Sequence, residues 1–407
     1  MANDHDVIIA GGGLNGTTLA LALAQAGLRI ALVDRLSAEY RSAADFDGRS
    51  YALALASSRL LGALGLWDML NKAAQPIHEV KASDGRAGEG SSPFFLHFDR
   101  GEIEDGPMGY LVEDRFLRRV LLRAVDESPR IDHLPDETIT AQTVGSHAEA
   151  ETASGRTLRG RLLVGADGRQ SGTAARAGIK RFERDYHQDA LVCAIQHEKP
   201  HHGIAHQFFM PGGPLAILPL SQDRSSIVWS ERRPLARHIA SLDDAAFLAM
   251  LCPRVGDFLG DFRLCGLRFS YPLGLSMARQ ITDRRLALVG DAAMGVHPIA
   301  GQGLNQGLRD VGTLAEVIAD ANRRGEDFGA SDVLARYRQW RSFDRAALAM
   351  ATDGFNALFS NDNPVLRLGR DLGMSLVTAM PGLRRRLMRE AAGLNGDLPR
   401  LLQGQPI

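Results

Sequence analysis

Cysteine is scarce in this chain: Cys193, Cys252 and Cys265 are all that its 407 residues contain. An odd number without C-x-x-C spacing excludes a disulfide framework and a structural zinc site, and it reads as buried thiols in a reducing compartment. Excess charge is missing as well. Lys and Arg number 47 against 48 Asp and Glu, a formal −1, so no global field draws the chain to nucleic acid. No uninterrupted apolar run reaches the roughly 18 residues of a membrane-spanning helix. The start, Met1-Ala2-Asn3-Asp4-His5-Asp6, is polar and acidic, unlike a secretory signal. These absences predict a cytoplasmic protein unless something tethers it. The remainder, 45% apolar and 23% charged, has the balance of a soluble globular chain long enough for two interleaved domains and a tail.

The first forty residues read as strand, tight turn, helix, strand. Val7-Ile8-Ile9-Ala10 is a short apolar run that ends at three glycines; Thr17 to Ala26 is rich in Ala and Leu and stops at Gly27; Ile30-Ala31-Leu32-Val33 is a second buried strand. From Ile77 the pattern turns to β segments, Glu79 to Ala82 and Phe94 to Phe98, followed by a helix from about Asp114 to Val125. Arg161 to Val164 closes on Gly165-Ala166-Asp167-Gly168. Residues 189–272 predict an antiparallel sheet of Ala190 to Ile195, His206 to Met210, Leu215 to Leu220, Ser226 to Trp229 and Arg263 to Phe269, interrupted by one helix near Asp243 to Leu251. Leu286 to Val289 is again a short buried strand, and a long helix, about Gly303 to Ala321, follows a glycine-rich loop. From about Ser331 the chain is helical and rich in arginine.

Gly11-Gly12-Gly13-Leu14-Asn15-Gly16 fits G-x-G-x-x-G between a strand and a helix. In such a loop the first glycine allows the turn, the second lets a pyrophosphate approach, and the third packs helix on strand. The helix N-terminus offers free N–H groups and a positive dipole end. Asp34 ends the second strand, where a carboxylate can accept ribose hydroxyls. Two later strands also end in an acidic, glycine-bearing turn. One is Leu163-Val164-Gly165-Ala166-Asp167-Gly168; the other is Leu288-Val289-Gly290-Asp291-Ala292-Ala293, ahead of His297-Pro298-Ile299-Ala300-Gly301-Gln302-Gly303-Leu304-Asn305. Asp291 at a strand end can bind a sugar-alcohol hydroxyl, and N–H groups of Gly301 to Asn305 can face an electron-rich carbonyl.

These segments resemble the class A FAD-dependent monooxygenases, the group of p-hydroxybenzoate hydroxylase, and within it the ubiquinone-biosynthesis hydroxylases. The stretch His297 to Asp310, with Gly213 to Leu220 and Ile227-Val228-Trp229, carries the resemblance. It implies an α/β p-hydroxybenzoate-hydroxylase-like fold: a discontinuous FAD-binding domain (1-76, 106-185 and 274-345), an interleaved antiparallel substrate domain (77-105 and 186-273) and a C-terminal helical region (346-407). It further implies that Gly11, Gly13, Leu14, Asn15, Gly16 and Asp34 hold the ADP half of FAD, with Arg35 beside the adenosine. Arg49 and Arg115 would reach the phosphate side, Asp167 would join the cofactor set, and Asp291 would bind the flavin side chain. Pro298, Gly301, Gly303, Leu304 and Asn305 would line the ring. At the Asp-Gly turn the chain departs from the pattern, since Ala174 stands where many members carry arginine.

The implied reaction is hydroxylation of a polyprenylated phenol in ubiquinone biosynthesis by O2 and NAD(P)H, or another electron donor, through a flavin hydroperoxide. The flavin carries the chemistry, so no side chain is assigned to catalysis and no metal is needed. A flavin-dependent reductase of the same fold, or a flavin-bearing scaffold in a biosynthetic complex, is the competing reading. His297 reads as a loop hydrogen-bonder, His201-His202 and His206 as a polar turn and strand face, and Trp67, Trp229 and Trp340 as packing residues. In the tail, Leu383, Leu387 and Leu394 share a helix face if the segment after Pro381-Gly382 is helical, with Arg384, Arg385, Arg386 and Arg389 outward. That leaves open an anionic membrane surface, other ubiquinone-biosynthesis proteins, the flavin domain itself or a second copy as its partner.

Overall fold

The computed structural model of the protein describes residues 4–88, 90–102, 105–295, 302–342, 344–345 and 380–407, with side chains at 90–94 and 302 excepted. Val7–Ala10, Ile30–Val33 and Leu162–Gly165 are four-residue strands buried at every position. Strands buried on both faces need helices on both sides, and parallel pairing with helical crossovers supplies them. The sheet runs Thr282–Asp283, Leu286–Leu288, Leu162–Gly165, Val7–Ala10, Ile30–Val33, Ile131–Leu134. All neighbours are parallel except the first pair. Helices Leu14–Gln25 and Gln302–Arg323 pack together on this core.

A second sheet of eight strands runs Met294–Gly295, Phe262–Ala278, Arg181–His197, Arg224–Arg232, Gly213–Leu220, Ile204–Met210, Glu79–Arg86, Gly90–Asp99. It is antiparallel apart from one parallel pair, Ile204–Met210 beside Glu79–Arg86. Two of its strands, Arg181–His197 and Phe262–Ala278, run for 17 residues each and reach back to the turn at Gly290–Ala292. The p-hydroxybenzoate-hydroxylase-like α/β architecture is what the motifs anticipated.

Alternation along the strands predicts opposite-facing pairs, and the packing decides which side each takes. Phe208 and Ile217 lie with Leu191, Trp229, Ile239 and Phe247 under the covering helices. Leu218 and Leu220 lie on the other face with Ala194 and Ala205, against Ala52 and Leu111 of the flavin-type domain. Phe209 shares that inner face with Ala82 and Leu96. Where the sequence suggested one covering helix there are two, Arg233–Ser241 and Asp244–Val255. Pro234 sits in the first turn of one, and the Asp243 carboxylate caps the other by accepting Ala246 N–H at 2.8 Å.

Two further sheets are not anticipated by the sequence pattern. One joins Ser50–Ala54, Gly109–Glu113 and Gln75–Ile77; the other stacks Ile139–Val144, Ala148–Thr152 and Thr157–Gly160. The alternation of Ala148-Glu149-Ala150-Glu151-Thr152, with a buried residue at every second position, is the signal that could have found the second. Cys193 is buried, as expected, but Cys252 is exposed. Helix Pro381–Ala391 docks on its own chain through Met388, fully buried against Ile77, Met108 and Leu220. Here the sequence expectation needs correcting. Arg384, partly buried, binds Glu102 at 2.7 Å, and Leu394 is buried; Arg389 pairs with Asp105 at 2.7 Å but stays exposed, so one of the four arginines is drawn inward.

Candidate cofactor site

Register brings the motifs together. Ala10 pairs with both Val33 and Gly165, and Gly165 pairs with Leu288. The loops bearing Gly11–Gly13, Asp34, Asp167 and Asp291 therefore leave from the same edge, the carboxyl ends of the parallel strands, where open α/β sheets bind ligands.

Each glycine of the loop has its own reason. Gly11 takes φ +106°, and a Cβ there would sit 2.8 Å from Asp167 Cα. A Cβ on Gly16 would overlap the Gly11 carbonyl, so this position must be bare for the helix to leave the strand. Gly12, which the fingerprint leaves free, must be glycine too, because a Cβ would lie 2.7 Å from Asp34 Cγ. Gly13 differs. A Cβ there would meet nothing within 4 Å, so its bareness serves something outside the chain. Gly13 is also the N-cap of helix Leu14–Gln25, with no side chain capping the end. Its first N–H groups are the unpaired donors of a helix N-terminus.

A cavity opens at this point, lined by Gly12, Gly13, Leu14, Thr17, Arg41 and Arg118 with Leu121 and Leu122. Arg41 donates to both oxygens of the buried Asp34, at 2.7 and 2.9 Å. Arg118, on helix Asp114–Asp126, is held by Asp114 at 2.8 Å and by the carbonyls of Tyr40 and Arg41. Neither arginine belongs to a local motif; the i,i+4 spacing of Asp114 and Arg118 was the one sequence hint. Two cations, a glycine cradle and a helix N-terminus together suit a diphosphate.

Of the arginines the motifs singled out, Arg35 is exposed on the surface. Arg49 is partly buried and held by Asp47 at 2.6 Å, with Asp114 at 3.3 Å and the Phe269 ring beneath it. Asp114 thus bridges Arg49 to Arg118. Arg115 points elsewhere, to Glu113 at 2.7 Å and the Ala44 carbonyl. Asp167 is fully occupied by its own turn, accepting from Ser171 Oγ, Thr173 N and Thr173 Oγ1. Asn305 fastens its helix to the distant strand Ser50–Ala54, accepting from Ala54 N and Ser57 Oγ and donating to Ala52 O, each at 2.8 Å. Gly303 and Leu304, partly buried, precede it in the helix; His297, Pro298 and Gly301 lie outside the described residues.

Asp291 stands in the single helical turn Gly290–Ala292, and its carboxylate accepts no hydrogen bond from the described residues. Burial raises its pKa above the usual carboxylate value, partly offset by Arg169 and Arg181 nearby. The turn itself is braced. Arg181 donates to the Ala292 carbonyl at 2.5 Å and to that of Asp291 at 3.1 Å, and Asp310 accepts Gly290 N–H at 3.1 Å. Asp310 also binds Arg341 at 2.7 Å with both side chains buried, and Tyr337 OH donates to Leu288 O. Asn15 reaches this turn from the glycine loop: a Cβ on Gly290 or Gly307 would run into its amide. Asn15 Oδ1 is buried without a partner among the described residues. An idle buried acceptor and an idle, partly buried carboxylate on one edge call for a ligand rich in hydroxyl and N–H donors.

The histidines do less. His201 donates from Nε2 to Leu220 O and accepts Gly203 N–H, a turn brace. Among the described residues, Glu79, His97 and Asp99 are close enough for a cation, but Glu79 already takes His97 at 2.8 Å and Lys81 at 3.2 Å.

A family model described as an FAD binding domain matches residues 4–350. The chain is 45% identical to the ubiquinone hydroxylase UbiL of Rhodospirillum rubrum over 406 residues, 99% of this chain and 93% of that one. It is 32% identical to the 3-demethoxyubiquinol 3-hydroxylase of Escherichia coli, covering 96% and 98%. Among solved structures, the p-nitrophenol 4-monooxygenase PnpA of Pseudomonas putida shares the fold, with a TM-score of 0.81, 19% identity and 97% and 99% coverage. The chain belongs to the FAD-binding monooxygenase family, on the branch of the ubiquinone-biosynthesis hydroxylases.

Proposed function

We propose that the chain hydroxylates the aromatic ring of a polyprenylated phenol on the way to ubiquinone, with O2 and a reduced nicotinamide as co-substrates. The observation that carries this is the idle Asp291 carboxylate and bare Gly13 on one strand edge. Gly12, Gly13, Arg41 and Arg118 would hold the FAD diphosphate; Arg49, through Asp114, would set the charge behind it. Asp34 would share its carboxylate between Arg41 and the ribose. Asp291 and Asn15 would accept from the flavin side. Bound FAD supplies the redox chemistry. The chain's part is to seat the ring and keep it dry, because water wastes activated oxygen as peroxide. Ala194, Ala205, Phe209 and Leu218 offer the apolar wall for that.

The test is turnover of holoenzyme with NADH or NADPH, a prenylated phenol and isotopically labelled dioxygen. One labelled oxygen in the product is expected. Product formed under nitrogen would support the reductase reading instead.

Asp291 gives a pH prediction. Its carboxyl titrates above the normal range, so the ionised form costs stability, and that cost grows as pH rises from the unfolded to the folded pKa. Asp291→Asn should therefore make the cofactor-free protein melt higher at neutral pH. The same change should weaken FAD retention by ~1.5–3 kcal/mol, the worth of a charge-assisted hydrogen bond. In the wild type, FAD affinity should fall on acidification earlier than an ordinary carboxylate would dictate. An acid limb unchanged in Asp291→Asn would assign it elsewhere.

We further propose that helix Pro381–Ala391 rests on an anionic membrane. No helix among the described residues is long and apolar enough to cross one. Met380, Leu383 and Leu387 form an exposed apolar stripe, with Arg385 and Arg386 exposed beside it. Arg385→Gln with Arg386→Gln should reduce co-sedimentation with anionic vesicles, whereas Arg384→Gln should not. Equal pelleting by all three proteins would remove the helix from that role.

A further inference from the structure

The substrate-domain sheet has a second cavity on the face away from the flavin-type domain. Leu191, Val192 and residues Arg268 to Ser270 form its floor, and Ala240 and Phe247 of the covering helices form its walls; it measures about 80 Å³ and opens to solvent beside the exposed Ala240 and Ser270. Beside it, the ladder between strands Arg181–His197 and Phe262–Ala278 slips register between Val192 and Ala194. Such an irregularity re-aims the side chains beside it.

Arg268 lines this cavity in an unusual state. Its Nη2 donates to the Leu242 carbonyl at 2.7 Å, its Nε lies 3.3 Å from Asp244, and the guanidinium rests 4.9 Å from the centre of the Phe247 ring. Nη1 is buried and meets no acceptor among the described residues. Leu191, Val192, Ala240 and Phe247 have no side-chain group to accept with. A buried cationic N–H beside a cavity whose lining, apart from Ser270, is apolar is a strong, unspent donor.

We propose that this cavity binds a small monocarboxylate with an apolar body, such as an arene carboxylate. The carboxylate would accept from Nη1 in a charge-assisted bond. The body would lie against Phe247 and Leu191. Asp244, largely exposed, offsets part of the guanidinium charge, so a singly charged acid is matched better than a dianion such as phosphate. The inner face, with Leu218 and Ala194, lies across the sheet, so the occupant is an effector and not the ring being oxidised. The strand has a route to the cofactor side: Leu267 N–H donates to Asp47 O at 2.8 Å, and Phe269 sits under Arg49.

Calorimetric titration of the FAD-loaded protein with benzoate tests this, with benzyl alcohol as the uncharged control. Saturable benzoate binding is expected, with the alcohol at least about tenfold weaker. Arg268→Gln should weaken benzoate by about tenfold or more. Ala240→Phe, which fills the cavity from an exposed helix position and spares the guanidinium, should do the same. Inorganic phosphate should not compete. Absence of benzoate binding, as for a cavity that holds water alone, overturns the proposal. So does binding that survives both substitutions, or binding lost in Leu218→Trp while Arg268→Gln retains it, which would put benzoate on the substrate face.

Discussion

Gly13→Val should give a folded protein that elutes colourless and stays so after incubation with excess FAD. Gly13 has φ −69° and ψ −179°, extended backbone that valine adopts without strain. A Cβ there meets no chain atom within 4 Å, so melting temperature should hold near that of the cofactor-free wild type. They would, however, stand in the mouth of the helix N-terminus where the diphosphate must come. The expected loss in FAD affinity is at least about a thousandfold, or ~4 kcal/mol. Gly16→Ala is the contrasting control. Its Cβ collides with the Gly11 carbonyl, so the loop itself must move and the fold should suffer first. A yellow Gly13→Val protein would take the diphosphate away from this loop.

The second large effect concerns Asp310. Replacing it with alanine strands Arg341, which is 1% exposed at its side chain, with Asp344 and Gln306 as remaining partners. Breaking a buried pair from one side costs about 3–5 kcal/mol. It also takes the acceptor from Gly290 N–H, so the Asp291 turn should loosen and FAD retention should fall with stability. Urea denaturation with parallel flavin titration reads both. Asp310→Leu with Arg341→Met should recover most of the stability without restoring the turn. An Asp310→Ala protein with an unchanged unfolding midpoint would mean that the pair contributes little.

Much of this was legible in the sequence because the site is built from strand ends. Val7–Ala10 and Ile30–Val33 could be read to the residue, since a buried parallel strand is an uninterrupted apolar run and its glycine or acidic terminus is local. Asp291 stood out for the same reason. Arg41, Arg118 and Asp310 did not, because each acts through partners brought in by tertiary packing: Asp34 with Arg41, the Tyr40 carbonyl with Arg118, and Gly290 with Asp310. Asp167 and Asn305 show the converse. Their positions in the motifs suggested ligand contact, yet the described hydrogen bonds spend them on the chain's own backbone and hydroxyls. Face assignment on the large sheet was unreadable in principle. Alternation fixes that Ile217 and Leu218 oppose each other, but the choice of side belongs to helices 233–255, which no local pattern orients.

The spread of the parallel sheet along the chain bears on how the protein is made. Its glycine loop is complete by residue 16, but the neighbouring strand ends come from Val33, Gly165 and Leu288. Pairing over such separations is slow, because loop closure must be met before any contact rewards it. On the ribosome, the loop would emerge early and wait while most of the chain is synthesised. Closure is later still at the opposite end: Ala56 N–H bonds to Ala392 O, and Leu402 packs in the core that holds Leu60. Cofactor capture is therefore a late event, and a chain truncated near residue 390 should be prone to aggregate with its sheet already formed.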